Sequence, residues 1–154
     1  MRLWILRHAR AEDHSPTGRD QDRALSARGQ LACRHLNRWL RETDLELPAR
    51  VRVSPSRRTR QTAELALADL PVGRLIDESL WLAPCSDLLD QIRTARPDGE
   101  LWLIGHNPGL EELIARLGAE LPVPGLKPGT LVVLDLPEKG PASILQIVPP
   151  SESV

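Results

Sequence analysis

The chain contains no tyrosine and no phenylalanine, which removes any phenolic acid or base and leaves proton chemistry to His, Asp, Glu or Cys. The large packing residues are therefore the four tryptophans, Trp4, Trp39, Trp81 and Trp102. Cysteine is scarce. Cys33 and Cys85 stand far apart without zinc-type spacing, so two reduced, partly buried thiols are expected. Lysine is scarce too: all but two of the 20 basic residues are arginines, Lys127 and Lys139 being the exceptions. In such a chain a single arginine in a motif carries little weight, and only its combination with other residue types counts. Long apolar runs are also missing. Met1 to Leu6 holds four consecutive apolar residues before Arg7, too short for a signal peptide or a membrane span, so a soluble cytoplasmic protein is expected, with no membrane association. Neither sign of charge dominates. A formal net charge of -1 argues against broad nucleic-acid binding and makes any cationic site a local one.

What is present is an ordinary globular balance over 154 residues, 41% hydrophobic and 27% charged, enough for one domain over residues 1–148 with a tail at 149–154 expected to fray. Leu3 to Leu6 reads as a strand covered on both faces, ending at the charged segment Arg7 to Asp13. Ser26 is placed to cap a helix in which Ala32, Leu36, Trp39 and Leu40 repeat at helical spacing. Val51 to Val53 reads as a second strand, Ser54-Pro55 as its exit, and Thr59 to Leu70 as a second helix. Leu75 to Leu82 looks irregular or weakly extended, and Ser86 is placed to cap a third helix ended by Pro97, Asp98 and Gly99. Leu101 to Ile104 is the clearest buried strand, running into Gly105-His106-Asn107-Pro108 and a helix through Leu117. Leu121 to Gly129 reads as a loop, and Leu131 to Leu136 with Ile144 to Val148 as a hairpin turning at Lys139-Gly140. This alternation predicts an α/β three-layer sandwich, with a mostly parallel central sheet flanked by helices and an antiparallel C-terminal hairpin. In open sheets of this kind ligands collect beyond the carboxyl ends of the strands, where Arg7-His8, Ser54 to Arg58 and Gly105-His106 all fall.

A phosphoryl group carries charge on its nonbridging oxygens, and guanidinium groups bind such oxygens bidentately while staying charged at any working pH. Arg7 suits that role; Arg58 suits it too, with a solvated helix face, the reading given to its neighbours Arg57 and Arg60, as the alternative, and His14 and His35 read as surface residues. A nucleophilic His8 needs the opposite treatment. One ring nitrogen must keep its lone pair, so the other should donate to a carbonyl, and nearby arginines should press the pKa down toward the neutral form. A metal site is not expected, because His8 and His106 lack a carboxylate or thiolate ligand set and arginines repel a cation.

The tripeptide Arg7-His8-Ala9 after a leading strand resembles the Arg-His-Gly signature of the histidine phosphatase superfamily, the phosphoglycerate mutase-like group. The segment Ser54-Pro55-Ser56-Arg57-Arg58-Thr59-Arg60-Gln61-Thr62 is similar to its Ser-Pro-x-x-Arg-x-x-Gln-Thr segment, and Gly105-His106-Asn107-Pro108 to its second-histidine segment. Arg23-Ala24-Leu25-Ser26 looks like the Arg-x-Leu-Thr segment of the shorter members. Ala9, where glycine is usual, departs from the pattern. The resemblance implies a phosphohydrolase with a phosphohistidine enzyme intermediate on His8 and no cofactor. It implies a phosphate pocket of Arg7, Arg23, Arg58 and His106, in which His106 donates to the charge in transfer. It also makes Glu78 a candidate general acid, against the alternative of a solvated loop carboxylate.

The short connections leave little chain to enclose a small sugar phosphate. Together with Leu82-Ala83-Pro84-Cys85-Ser86-Asp87, they resemble the SixA-type phosphohistidine phosphatases. The implied partner is a phosphorylated protein, such as a histidine-containing phosphotransfer domain, with a small phosphate ester as the alternative substrate. A small-molecule phosphomonoesterase or mutase-like enzyme and a noncatalytic phosphoprotein-binding module are the rival readings.

Overall fold

The computed structural model describes residues 1–122 and 125–152. Its first strand, β1 (Arg2–Arg7), sends Leu3 and Ile5 to one face and Trp4 and Leu6 to the other, because successive side chains along a strand point to opposite sides. All four are fully buried, which requires a layer on each face. The strands β2 (Arg50–Val53), β3 (Gly73–Ile76) and β4 (Glu100–Gly105) run parallel to β1, and β5 (Leu131–Asp135) pairs antiparallel with both β1 and β6 (Ser143–Val148). The sheet order is β3-β2-β4-β1-β5-β6, so β4 lies between β2 and β1. The expected mostly parallel sheet with an antiparallel C-terminal hairpin is thus present.

On one face α1 (Ala27–Glu42) and α2 (Arg57–Ala66) bring Leu36, Leu40, Ala63 and Ala66 against Trp4, Leu6, Val53 and Ile104. On the other, α3 (Cys85–Ala95) and α4 (Gly109–Arg116) bring Leu88, Ile92, Leu110 and Leu113 against Leu3, Ile5 and Leu103. Trp4 and Trp102 are register partners on β1 and β4, with ring centroids 5.1 Å apart, and supply the bulk that phenylalanine would otherwise give. Ser26 caps α1 as expected, its hydroxyl accepting from the Gly29 amide. Among the described residues no helix is long and apolar enough to cross a membrane.

Three elements differ from the sequence expectation. Residues Gly73–Ile76 form β3, an edge strand exposed along its whole length, so no buried-face alternation marks it. The second helix begins at Arg57 and stops at Ala66, because Ser56 caps it and Asp69 adopts a positive φ of 60°. The third helix starts at Cys85 after an extended Pro84, which leaves Ser86 inside it rather than at its cap. In the tail, the Glu152 carboxylate lies 3.0 Å from Arg10 Nε. Ser153, Val154 and two residues of the Leu121–Gly129 loop, Val123 and Pro124, lie outside the described residues.

Candidate active site

Burial of polar groups marks one region. The buried polar and charged residues among those described are His8, Ser54, Ser56, Arg58, Thr59, Thr62, His106 and Thr130. All sit at or just beyond the carboxyl ends of β1, β2 and β4, or at the start of β5, and a cluster of this kind in an apolar protein has to be internally hydrogen-bonded. The adjacency of β2, β4 and β1 explains the convergence. The amide of Ser54 donates to the Ile104 carbonyl and that of His8 to the Gly105 carbonyl, which ties the three exits together at 3.1 Å each.

The His8 ring is 8% exposed. Its Nδ1 donates to the Ala9 carbonyl at 2.8 Å, which leaves the lone pair on Nε2. The His8 pKa is lowered to about 4. Burial is the main cause and the positive charges of Arg58, Arg7 and Arg23 add to it, so the direction matches the sequence expectation while the arginines are the smaller contributors. Ala9 is buried and its amide donates to Thr62 Oγ1, which itself donates to the Arg58 carbonyl. The Gln-Thr pair therefore supports the site structurally. Thr62 holds the chain behind His8, and Gln61 Oε1 accepts from the Leu25 amide of the following loop.

Arg58 stands in the first turn of α2, where Ser56 accepts from the Thr59 amide and Thr59 Oγ1 donates back to the Ser54 carbonyl. This double tie fixes the helix start. It turns Arg58 inward at 3% exposure while its neighbours Arg57 and Arg60 stay in solvent, as their position on the helix face predicts. His106 lies 5.5 Å from His8, ring centroid to centroid. Its Nε2 is 2.7 Å from Ser54 Oγ and its Nδ1 3.5 Å from an Arg58 terminal nitrogen. Since a guanidinium only donates, Nδ1 is the acceptor and Nε2 carries the proton. Burial first, then His8 and Arg58, lower the His106 pKa to about 3, against a small opposing pull from Asp20.

Arg7 donates to the Leu126 carbonyl at 2.7 Å, and Asn107 donates to the same oxygen at 3.1 Å, while the Leu126 amide bonds Glu111. The loop after α4 thus clamps Arg7 beside the pocket. Arg23 does not contact Arg58 directly. It is joined through Asp20, whose Oδ1 accepts from Arg23 Nε at 2.9 Å while Oδ2 accepts from Arg58 at 3.1 Å. Glu78 opens the 3-10 turn Glu78–Leu80, is exposed, and makes no side-chain hydrogen bond or ion pair. The residue from that turn that reaches the cluster is Trp81. Its ring lies 5.4 Å beneath the Arg58 guanidinium carbon and meets His106 edge-on at 5.2 Å. Gly109 permits this packing, because a Cβ there would stand 2.2 Å from the Ala83 carbonyl of the Trp81 loop.

His8, Arg58 and His106 are therefore brought into one cluster, Arg7 borders it, Arg23 joins through Asp20, and Glu78 is left outside. Ser54 and Asn107 also belong to the cluster and stand in segments the sequence singled out, though without an assigned role, whereas Asp20 and Trp81 had no signal in the sequence. No group of three or more His, Cys, Asp or Glu is placed to hold a metal ion among the described residues.

The family model for the histidine phosphatase superfamily (branch 1) matches residues 3–80, which carry the segments holding His8, Arg23 and Arg58. The chain belongs to the histidine phosphatase superfamily. It is a phosphatase with a histidine nucleophile, acting on phosphorylated substrates. An uncharacterized protein of Picosynechococcus is 33% identical over 118 residues, 73% of this chain and 70% of that one. Among solved structures, a protein assigned as the phosphohistidine phosphatase SixA of Agrobacterium tumefaciens is similar at TM-score 0.85 and 24% identity, over 97% of this chain and 98% of its own. The protein histidine phosphatase SixA complexed with tungstate is similar at TM-score 0.82 and 25% identity, over 97% of each chain. A protein assigned as an alpha-ribazole-5'-P phosphatase of Escherichia coli shares the fold at TM-score 0.61 and 20% identity, over 99% and 98%.

Proposed function

We propose that this phosphatase works through His8 and that its substrates are phosphohistidines on proteins, as in a SixA-type enzyme. The observation that carries His8 is its Nδ1 bond to Ala9, which leaves Nε2 as a free lone pair among positive charges. Nε2 attacks phosphorus, Arg58 and Arg7 take the nonbridging oxygens with Arg23 as a third contact, and water then hydrolyses the phosphohistidine. His106 adds a donor once the arriving phosphoryl charge draws a proton to Nδ1. His8 is neutral at any pH well above about 4. After correction for the substrate's own ionisation, the acid limb of kcat/KM is therefore expected near pH 4; a limb near 6.5 would mean a solvated ring.

The substrate class rests on what stands near the leaving group. Glu78 is exposed and unengaged, and the carboxylate bonded to Arg58, Asp20, is held below the ordinary carboxylate range by Arg58 and Arg23, which outweigh its partial burial. Glu78 is thus not engaged with the site, and Asp20 is held in its ionised form rather than ready to donate a proton. An alkoxide would leave slowly from such a pocket, whereas phosphohistidine can take a proton on its distal nitrogen and leave as neutral imidazole. A side-by-side assay of a phosphohistidine protein, phosphorylated sugars and an aryl phosphate tests this, with Glu78→Gln as the second arm. The phosphohistidine protein should be turned over best, and Glu78→Gln should leave its kcat/KM within about twofold. Preference for sugar phosphates with strong dependence on Glu78 would instead identify a small-molecule phosphomonoesterase.

A further inference from the structure

We propose that Asp20 is a resident counter-ion of the phosphoryl pocket, which a phosphoryl group must displace from Arg58 in order to bind. The inference rests on the reading of Arg58 and Arg23 as phosphate contacts. Arg58 gives one terminal nitrogen to the Asp20 carbonyl at 2.9 Å and the other to Asp20 Oδ2 at 3.1 Å. Arg23 gives Nε to Oδ1 at 2.9 Å. Each carboxylate oxygen thus takes one guanidinium, the arrangement in which two nonbridging phosphoryl oxygens would be gripped. Both terminal nitrogens of Arg58 thus bond Asp20, one of them also lying 3.5 Å from His106 Nδ1, and its Nε is buried without a partner.

A phosphoryl dianion and the Asp20 carboxylate cannot share those donors, because like charges a few ångströms apart repel strongly in a partly desolvated site. Asp20 is the partner that can leave. Its side chain is 54% exposed, whereas that of Arg58 is 4% exposed and anchored on α2. It belongs to the short 3-10 turn Asp20–Asp22, which follows Gly18 at a φ of 78° and is otherwise held by exposed contacts among Ser15, Thr17, Arg19 and Asp22. On moving outward the carboxylate regains water and releases one terminal nitrogen of Arg58 and the Nε of Arg23 together, while the other Arg58 nitrogen keeps the Asp20 carbonyl and Arg23 keeps the Glu12 carbonyl.

The consequence is selectivity. Small anions, including the inorganic phosphate product, are held weakly because they meet a pocket that already contains a negative charge. A phosphoprotein brings contacts outside the pocket that offset the displacement.

The test is anion affinity, measured with tungstate and with inorganic phosphate by titration calorimetry on the full chain and on Asp20→Asn, Asp20→Ala and Asp20→Glu, each checked for folding by circular dichroism. Both neutral variants should bind tungstate about five- to twentyfold more tightly than wild type, a coupling in the ordinary range for competing occupants. Asp20→Glu, which keeps the charge, should stay within about threefold of wild type. Structural damage would weaken binding, so a gain cannot come from that source. Unchanged or weaker binding in the neutral variants overturns the proposal and makes Asp20 a positioning residue for the two arginines. Equal tightening in Asp20→Glu overturns it as well, because charge would then not be the cause. If folded wild type and all variants fail to bind either anion, the phosphate pocket itself is wrong and both readings fall.

Discussion

His8→Ala is expected to lower turnover of any phosphorylated substrate by roughly 10⁴- to 10⁶-fold, the loss seen when a covalent nucleophile is removed from an otherwise intact site. It should also abolish the acid-labile, base-stable phosphoenzyme that rapid quenching traps from wild type. Retained turnover would remove the mechanism, and turnover lost with phosphoenzyme retained would move the nucleophile to His106. The same variant makes a stability prediction with the opposite sign. In the unfolded chain a histidine takes up its proton near pH 6.5, but folded His8 does so only near pH 4. Between those values the unfolded state binds more protons, so His8 lowers wild-type stability as pH falls through the window, by up to about 1.4 kcal/mol per pH unit. Removing the ring removes that slope. His8→Ala should thus compare more favourably with wild type at pH 4.5 than at pH 8 in urea unfolding, while His106 keeps its own acid sensitivity down to about pH 3.

The parts of this site that could be read in the sequence share a physical origin. Apolar runs such as Leu3 to Leu6 and Leu101 to Ile104 end abruptly at Arg7-His8 and Gly105-His106, because a strand buried on both faces must change composition where it leaves the sheet. Arg58 could be told from Arg57 and Arg60 through the spacing of the Ser-Pro-x-x-Arg-x-x-Gln-Thr resemblance, and the helix start at Arg57, two residues earlier than expected, is what turns it inward. Asp20 and Trp81 escaped because each comes from a connection between the main elements, where approach to the pocket depends on tertiary packing rather than on any periodic pattern. The connection that carries Trp81 to Arg58 also packs its Ala83 carbonyl where a Cβ on Gly109 would stand, a close approach between segments about 25 residues apart. Strand β3 escaped for the opposite reason. Its four residues are exposed, so nothing in their pattern distinguishes an edge strand from a loop.

Arg58→Ala is expected to cost on the order of 10³-fold in kcat/KM, at the upper end of what removing one donor to developing charge costs, because Arg58 serves as more than a donor. Its guanidinium also faces Trp81 and lies 3.5 Å from His106 Nδ1. Without that positive charge His8 and His106 both become easier to protonate, so the acid limb of the residual activity should move up from about pH 4. Arg58→Lys keeps a charge but not the two-pronged geometry, and should recover only part of the loss while restoring much of the pH profile. That split between rate and profile separates oxyanion binding from general electrostatics. The fold should survive either change, because Asp20 keeps Arg23 and is more than half exposed, so no buried charge is left alone. Near-wild-type kcat/KM in a folded Arg58→Ala protein would show that the phosphoryl oxygens are held elsewhere, and would leave the buried guanidinium a structural role through its contacts with Asp20, His106 and Trp81.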